Sequence, residues 1–385
     1  SYSLLHASRK TFSNVKVSIS SHNHLFPNAE EATLFLGTLD TIFLFSYAVG
    51  LFVSGIVGDR LNLRWVLSFG MCSSALVVFF FGTLTEWLHF YNKWFYCCLW
   101  VVNGLLQSTG WPCVVAVMGN WFGKAGRGFV FGLWSACASV GNILGAFLAS
   151  CVLKYGYEVG IAVWLLARPA CLIGLCRVKL YGKKQKCFLL CSSANCFLAH
   201  SLFQYSLAYA CLKLVNYSFF FWLPFYLSNN FGWKEAEADQ LSIWYDVGGI
   251  IGGTIQGLIS DVLQKRAPVL AISLLFAVGS LFGYSQSVFR RRSVENLSPC
   301  LICTKAVSLS LSGFFIGGPS NMISSAISAD LGRQDLVRGS SEALATVTGI
   351  VDGTGSIGAA VGQYLVSLIQ ENLGWMWVFY FFILM

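Results

Sequence analysis

Three basic side chains occupy apolar stretches of the sequence, where a charge is costly. Arg9 and Lys10 follow the apolar start of the chain, and Lys213 has apolar neighbours on both sides. A charge within a membrane-crossing helix costs about 2.5–3.5 kcal/mol on insertion scales, so such a residue needs a partner or a ligand. Arg presents a planar fork that matches phosphate, and Lys adds a point charge. If they face one another across a cavity, these cations predict binding of a divalent anion such as phosphate.

Acidic and aromatic side chains are further candidates for such a cavity. Each acid can neutralise a basic group or carry a proton, and the aromatic residues offer rings and polar atoms to a sugar. Tyr and Trp also anchor helices at membrane interfaces, and Arg or Lys at a helix end can snorkel to the interface, so structural roles stay open. The acids are Asp40, Asp246, Glu342 and Asp352. The expected substrate contacts are Tyr47, Trp111 and Tyr217, with Tyr2, His6, Tyr209 and Asn216 as further lining candidates.

Two apparent motifs do not predict a metal or cofactor site. The sequence has 14 cysteines, most of them inside apolar runs, where Cys behaves as a small hydrophobic residue. Cys300 and Cys303 form a C-x-x-C without a second pair at zinc spacing. Residues Gly353 to Gly358 match G-x-G-x-x-G, but they lie in a long apolar run and not after a strand. We therefore expect no cofactor, no metal and, without a nucleophile–base set, no enzyme activity.

Composition indicates where the chain resides. Of 385 residues, 56% are hydrophobic and only 11% are charged, and the mean hydropathy is +0.65. Soluble domains carry roughly a quarter charged residues. A bilayer core needs about 20 apolar residues for each helical crossing, and runs of that kind recur along the sequence. The sequence therefore predicts an all-α membrane protein that crosses the lipid bilayer many times.

The apolar runs predict twelve crossings. Only eight residues precede Arg9, and the run from Trp375 to Met385 is too short to span, so we expect the first and last helices to be truncated. The predicted crossings are 1–18, 34–57, 65–85, 94–117, 128–153, 158–178, 200–228, 240–260, 268–288, 300–327, 343–369 and 374–385.

Basic residues are distributed unevenly between the two sets of loops. The loops that follow even-numbered crossings hold thirteen Lys and Arg residues, whereas the opposite loops hold seven. The positive-inside rule then puts the N-terminus and the central loop in the cytoplasm. The net charge of +8 is explained by this asymmetry, so we expect no nucleic-acid partner. Arg290 to Arg292 lie on the side that this rule disfavours.

An internal repeat divides the chain into two halves. Gly55-x-x-x-Asp59, at the end of the second crossing, is echoed by Gly257-x-x-x-Asp261 at the end of the eighth. Gly110-Trp111-Pro112 is likewise echoed by Gly317-Gly318-Pro319, which gives a repeat of about 205 residues. Such repeats predict two six-helix bundles around a central cavity. The predicted boundaries are 1–178 for the first bundle, 179–199 for the central loop and 200–385 for the second bundle.

The first of these motifs has a physical interpretation as a gate. Gly55 allows two helices to approach closely, and Asp59 can cap and pair across the cytoplasmic helix ends. Arg60 and Arg64 can pair across the same ends, and Asp261 is the counterpart in the second half. Such contacts hold one access state closed and break in the other. Simple anchoring of a short loop at the interface remains the alternative.

Several motifs together resemble the organophosphate:phosphate antiporters of the major facilitator superfamily, and most closely the animal sugar-phosphate exchangers that carry glucose-6-phosphate. The similarity covers most of 1–157 and 205–385. The motifs are Ser8-Arg9-Lys10-Thr11-Phe12-Ser13, Gly104 to Pro112, Asn120-Trp121-Phe122-Gly123, and Arg127-Gly128 followed by Trp134-Ser135.

This resemblance implies a major facilitator fold that exchanges a sugar phosphate for inorganic phosphate by alternating access. It assigns the grip on phosphate to Arg9 and to Lys213, with Lys10 as the second basic residue of its pair and Tyr47 close to the site. It also implies an endoplasmic reticulum membrane protein, which we expect to act as a monomer. The sequence departs from the pattern at Leu51, where relatives often carry Lys, and between Ser135 and Ser139, where bacterial relatives carry His.

Other functions stay open at the level of sequence. A proton-coupled facilitator for an organic anion would use Asp40, Asp246 or Glu342 as proton carriers. A non-transporting, truncated form is a further possibility, because 158–204 and 286–308 do not match the family pattern.

Overall fold

The computed structural model of the protein describes residues 2–3, 5–10, 29–81, 85–89, 92–122, 126–152, 200–231, 235–290, 299–332 and 344–385. Its helices in the first half are α1 (residues 5–10), α2 (Ala29–Arg60), α3 (Leu63–Phe79), α4 (Lys93–Gln107), α5 (Gly110–Trp121) and α6 (Arg127–Val152). Those in the second half are α7 (His200–Phe231), α8 (Glu235–Val262), α9 (Arg266–Arg290), α10 (Pro299–Met322), α11 (Leu344–Leu373) and α12 (Trp375–Leu384). Short helices cover Thr85–Trp87 and Ser328–Leu331.

These helices agree with the predicted crossings. The sixth crossing, at 158–178, and the central loop, at 179–199, lie outside the described residues, and helices occupy the described parts of the other eleven crossings. Within the described part of the chain, six helical stretches are long and apolar enough to cross a membrane. They are Phe35–Arg60, Lys93–Trp121, Arg127–Phe147, Ser201–Leu227, Arg266–Gln286 and Leu344–Leu373.

The distribution of side chains is that of a protein surrounded by lipid. Large apolar side chains such as Trp65, Leu275 and Phe147 are exposed on the outer faces of the helices, where lipid tails replace water. Charged side chains such as Arg9 and Lys213 are buried inside the bundle. In lipid, an apolar side chain gains nothing by moving inward, so close helix packing and polar contacts hold the bundle together.

Irregular turns occur in the fourth and tenth crossings, close to the cavity. The fourth crossing consists of α4 and α5, separated by a turn at Ser108 and Thr109, with Pro112 in the first turn of α5, where no helical N–H is lost. The tenth crossing contains Pro319 within α10, and a π-helical turn follows at Ile323–Ile327.

Two helix pairs form the seams between the halves. Helix α2 of the first half packs along α11 of the second, and α8 of the second half packs along α6 of the first. Under the sequence repeat, these two pairs correspond to each other. Within the second half, α7 packs against α11 and α8 against α10. The two seams are therefore repeat-related contacts, one on each side of the central cavity.

Candidate functional site

A central cavity of about 90 Å³ lies between the two halves. Side chains from both halves line it, among them Arg9 and Lys10 of α1, Tyr47 of α2, Trp111 of α5 and Tyr217 of α7. These are five of the six residues that the sequence analysis proposed for substrate binding. The sixth, Lys213, does not itself line the cavity, but its ion-pair partner Asp352 does.

Arg9 is buried, with 7% of its surface exposed, and its guanidinium group is only partly paired. Its Nε donates to Oε1 of Gln107 at 2.7 Å. Its two terminal nitrogens, Nη1 and Nη2, are buried and have no hydrogen-bond acceptor among the described residues. A buried cation with two unused donors is costly, because burial removes the water molecules that would accept hydrogen bonds from those donors. This guanidinium can therefore donate two parallel hydrogen bonds to one anion in the cavity.

The ring of Tyr47 lies close to both principal cations. The guanidinium carbon of Arg9 stands 4.4 Å from the ring centroid, and Nζ of Lys213 stands 5.8 Å from the same centroid. Tyr217 approaches the Lys213 ammonium as well, with its ring centroid 5.1 Å away. Aromatic faces stabilise cations when they are held away from water. The aromatic rings thus keep two positive charges as near neighbours at one end of the cavity.

Lys213 is already neutralised in this structure. Its Nζ donates to Oδ1 of Asp352 at 2.7 Å and to Oγ of Ser356 at 2.7 Å. Asp352 lines the cavity and also accepts a hydrogen bond from the hydroxyl of Tyr209 at 3.2 Å. The sequence analysis left open whether an acid such as Asp352 neutralises a basic group or carries a proton. In the folded protein, the carboxylate of α11 takes up the charge of Lys213, so an arriving anion competes with Asp352.

Lys10 and Trp111 reach across the cavity from the first half to the second. Nζ of Lys10 donates to the backbone carbonyl of Phe220 at 3.2 Å and stands 4.8 Å from the centre of its ring. Nε1 of Trp111 donates to the backbone carbonyl of Ser324 at 3.1 Å. Asp40 is buried beside Arg9, where both line a second, smaller cavity. Glu342 lies outside the described residues.

The motif of Gly55 and Asp59, predicted to act as a gate, joins the two halves at one seam. The carboxylate of Asp59, near the end of α2, accepts hydrogen bonds from the N–H groups of Ala345 and Thr346 at 3.0 and 2.7 Å, and from the Thr346 hydroxyl at 2.6 Å. A Cβ added to Gly55 would lie 2.7 Å from the carbonyl oxygen of Ala345, so only glycine allows this approach. We call this contact, of Asp59 with Ala345 and Thr346, the Asp59 clasp.

The second motif makes the repeat-related contact at the other seam. Asp261, near the end of α8, accepts hydrogen bonds from the N–H groups of Gly128 and Phe129 at 2.9 and 2.7 Å. A Cβ on Gly257 would overlap the carbonyl group of Gly128. This contact of Asp261 with the first turn of α6 is the Asp261 clasp. In both clasps, a carboxylate from one half binds the positively polarised N-terminus of a helix from the other half.

A chain of ion pairs adjoins the Asp261 clasp. Arg127, with 1% of its surface exposed, donates to Oδ1 of Asp330 at 2.6 Å, and Arg266 donates to Oδ2 of Asp330 at 2.6 Å. Arg266 also pairs with Asp261 at 3.2 Å. Because Arg127 belongs to the first half and Asp330 to the second, this chain adds a further link across the seam.

The other predicted gating residues contribute less to these contacts. Arg60 follows Asp59 but makes no hydrogen bond or ion pair with any described residue. The backbone of Arg64 lies in α3, and its side chain lies outside the described part of the structure.

The side chain that orients Arg9 and three members of the ion-pair chain were not among the sequence candidates. They are Gln107, Arg127, Arg266 and Asp330. Gln107 and Arg127 do lie in the motifs on which the family resemblance rests. The other two lie at the ends of crossings, where charged residues are common anchors and carry no specific signal.

The fold and the cavity define a membrane transporter of the facilitator type, and comparison with known proteins agrees. Residues 4–341 match the sequence model of the Major Facilitator Superfamily, and the chain belongs to this superfamily. More narrowly, it belongs among the animal sugar-phosphate exchangers of the organophosphate:phosphate antiporter family. The resemblance and the fold class predicted from the sequence are thereby confirmed.

Three relatives illustrate this membership. Sugar phosphate exchanger 3 of Gallus gallus is 71% identical over 460 residues, which cover 100% of this chain and 87% of the chicken protein. Sugar phosphate exchanger 3 of Homo sapiens is 68% identical over 452 residues, which cover 100% of this chain and 88% of the human protein. Glucose-6-phosphate exchanger SLC37A2 of Danio rerio is 38% identical over 387 residues, which cover 90% of this chain and 76% of the zebrafish protein.

Solved structures of low sequence identity share the fold. The human organic anion transporter MFSD10 superimposes with a TM-score of 0.71 at 13% identity, covering 100% of this chain and 97% of that one. A bacterial homologue of the iron transporter ferroportin in an outward-facing state superimposes with a TM-score of 0.69 at 16% identity, covering 100% of this chain and 94% of that one. At such identities the similarity concerns the fold alone.

Proposed function

We propose that this protein is an antiporter that exchanges a sugar phosphate, with glucose-6-phosphate as the expected substrate, for inorganic phosphate. The observation that carries the proposal is the guanidinium of Arg9, which is buried at the cavity and offers two terminal nitrogens without an acceptor. A phosphoryl group presents two oxygens at the spacing of this fork, so it can accept both hydrogen bonds at once.

The second cation supports a dianion as the ligand. Lys213 lies against the same Tyr47 ring as Arg9 and is held by Asp352. A phosphate dianion that displaces the Asp352 carboxylate from Lys213 would gain two cationic partners. The phosphoryl group is the part that inorganic phosphate and a sugar phosphate have in common. One site can therefore bind both, which is the requirement for their exchange.

Sugar phosphate as the cargo is supported by family membership. The most similar proteins named above are sugar phosphate exchangers, and a more distant relative is named a glucose-6-phosphate exchanger. Phosphate as the counter-substrate follows from the charge argument and from the resemblance to organophosphate:phosphate antiporters.

The two clasps support alternating access as the mechanism. Asp59 and Asp261 each join one half to the other at the same end of the bundle. When both clasps are formed, this end of the cavity is closed. When both break, the two halves can rock apart here, and the opposite end closes. The distribution of basic residues makes the clasped end cytoplasmic, so the N-terminus is cytoplasmic too. We propose the endoplasmic reticulum membrane as the location and a monomer as the transporting unit.

The proposal is tested with the purified protein in liposomes loaded with phosphate. Uptake of labelled glucose-6-phosphate should require internal phosphate. Arg9→Ala and Lys213→Ala should reduce it to the level of empty liposomes, because each removes a partner of the phosphoryl group. Lys265→Ala is the matched control, since Lys265 is exposed in the loop between α8 and α9 and should leave exchange unchanged.

Two results would contradict the proposal. Uptake that proceeds without internal phosphate, or that persists in both cation variants, excludes phosphate exchange at this site. Uptake that follows an imposed pH gradient instead would favour the proton-coupled facilitator, for which Asp246 in the cavity is the candidate proton carrier.

A further inference from the structure

A polar part of the cavity wall has no role in holding phosphate. Asn142 of α6 and Asp246 of α8 both line the cavity, and Nδ2 of Asn142 donates to Oδ1 of Asp246 at 2.9 Å. This hydrogen bond crosses from one half to the other. We call the pair, Asn142 with Asp246, the Asp246 subsite.

A relay of hydrogen bonds holds the Asp246 subsite in place. Nδ1 of His6 donates to Oδ1 of Asn142 at 3.2 Å, and the hydroxyl of Tyr2 donates to Nε2 of His6 at 3.2 Å. This pairing fits a neutral imidazole that carries its proton on Nδ1. Each donor in the relay points towards Asp246, so the carboxylate receives its hydrogen bond from an Asn142 amide that is itself held in place.

The charge of Asp246 determines what this part of the cavity can bind. A carboxylate repels a phosphoryl group, because two anions placed side by side in a site of low polarity cost several kcal/mol. The same carboxylate accepts hydrogen bonds strongly, and hydroxyl groups are donors of that kind. We therefore distinguish two parts of the cavity: the Arg9 end attracts the phosphoryl group, and the Asp246 subsite, which the charge of Lys10 also reaches, accepts hydrogen bonds from hydroxyl groups.

The adjoining wall of the second half has the same chemical character. The hydroxyl of Tyr245 donates to Oδ1 of Asn216 at 2.7 Å, and Nδ2 of Asn216 donates to Oγ of Ser320 at 3.3 Å. All three residues line the cavity and carry uncharged groups that can both donate and accept. A ligand rich in hydroxyl groups can replace these mutual hydrogen bonds without leaving polar atoms unpaired.

We propose that the Asp246 subsite binds the hydroxyl groups of the sugar while Arg9 holds the phosphoryl group. The inference rests on the proposed exchange of sugar phosphate for phosphate and explains how one cavity serves both ligands. Inorganic phosphate occupies only the Arg9 end, whereas a sugar phosphate occupies both ends. Asp246 thus selects phosphoesters that carry hydroxyl groups over those that carry none.

The test compares three substrates in phosphate-loaded liposomes: inorganic phosphate, methyl phosphate and glucose-6-phosphate. Methyl phosphate has the phosphoryl group but no hydroxyl group on its ester chain. Asp246→Asn keeps the shape and one acceptor oxygen but removes the charge. We expect kcat/KM for glucose-6-phosphate to fall about tenfold or more, because hydrogen bonds to charged groups are the stronger ones. The values for phosphate and methyl phosphate should not fall, since neither carries a sugar hydroxyl group for Asp246 to bind.

Asp40→Asn is the matched control, because it neutralises a buried acid beside Arg9 and away from the Asp246 subsite. Any effect of this control should fall on all three substrates equally. Equal losses for all three in a folded Asp246→Asn protein would overturn the subsite, as would no change in any. If that variant is unstable, kcat/KM is compared between methyl phosphate and glucose-6-phosphate in the unmodified protein. Equal values would overturn the proposal. A preference of tenfold or more for the sugar phosphate supports it. Liposomes that exchange no phosphate at all would instead refute the proposed function.

Discussion

Arg9 and Gln107 are joined by a hydrogen bond of 2.7 Å from Nε of the arginine to Oε1 of the glutamine. Gln107 is itself fixed, since its Nε2 donates to Oδ1 of Asn103 at 3.1 Å, and Oγ of Ser74 donates to the same oxygen at 2.8 Å. The chain runs from α1 through α4 to α3 within the first half. Because Nε is occupied, the guanidinium is held with its two terminal nitrogens away from Gln107.

Gln107→Ala should weaken recognition of the phosphoryl group without removing a charge. Arg9 would lose the contact that orients it, so we expect KM to rise about tenfold, and by the same factor for phosphate and for glucose-6-phosphate. Exchange rates measured at varied external concentrations of phosphate and of glucose-6-phosphate give the two KM values. An effect confined to glucose-6-phosphate would contradict a role through Arg9.

Gln256→Ala provides the matched control for this variant. Gln256 is also buried, but its Nε2 donates to the backbone carbonyl of Phe314 at 2.9 Å and it does not line the cavity. It should lower Tm at most and leave both KM values unchanged. A rise in KM of equal size in the control would show that loss of any buried glutamine disturbs transport.

The Lys213–Asp352 pair predicts a double-mutant effect on stability. Lys213→Ala leaves a buried carboxylate without its cation, which costs about 3–5 kcal/mol. Lys213→Ala with Asp352→Ala removes both charges, so we expect Tm in detergent to recover most of the loss. Exchange should stay absent in both proteins, because the phosphoryl group has lost a cation. A double variant no more stable than the single one would contradict the pairing.

The Asp59 clasp predicts how access depends on one carboxylate. Asp59→Asn weakens three hydrogen bonds at the N-terminus of α11 and removes a charge that this helix end favours. The clasped end should open more often, by about tenfold or more. Cys113 is fully buried near Gly58, so its rate of modification by a maleimide, followed by peptide-resolved mass spectrometry, reports this opening.

Arg60→Ala is the comparison for the clasp, because the neighbouring Arg60 has no partner among the described residues. We expect modification of Cys113 to change by less than about twofold in this variant. If both variants label alike, the Asp59 carboxylate does not control access at this end.

Gly55→Ala should prevent the close approach of α2 and α11. The added Cβ would lie 2.7 Å from the carbonyl oxygen of Ala345 and 3.1 Å from Cα of Thr346, both of them backbone atoms. We therefore expect slower exchange and faster modification of Cys113. Gly37→Ala on the same helix is the control, since a Cβ there meets nothing within 4 Å. Equal exchange rates in the two variants would rule out a role of Gly55 in closure.

The sequence predicted the helices and the repeat well, and for a simple reason. In lipid, every backbone N–H and C=O group must be bonded within its own helix, so long apolar runs leave little choice of structure. The motif of Gly55 and Asp59, with its echo at Gly257 and Asp261, also identified the positions where the halves meet. Its partners, in the first turns of α11 and α6, could not be inferred because they come from the opposite half.

Arg9 and Lys213 were recognisable from the sequence because a charge in an apolar run is costly and therefore rare. Their environments were decided by tertiary structure alone. Gln107, an ordinary polar residue 98 positions away, orients Arg9, whereas Asp352 neutralises Lys213 from another helix. A sequence states which side chains carry charge, but only the packing of helices determines which of those charges are paired and which are left for a ligand.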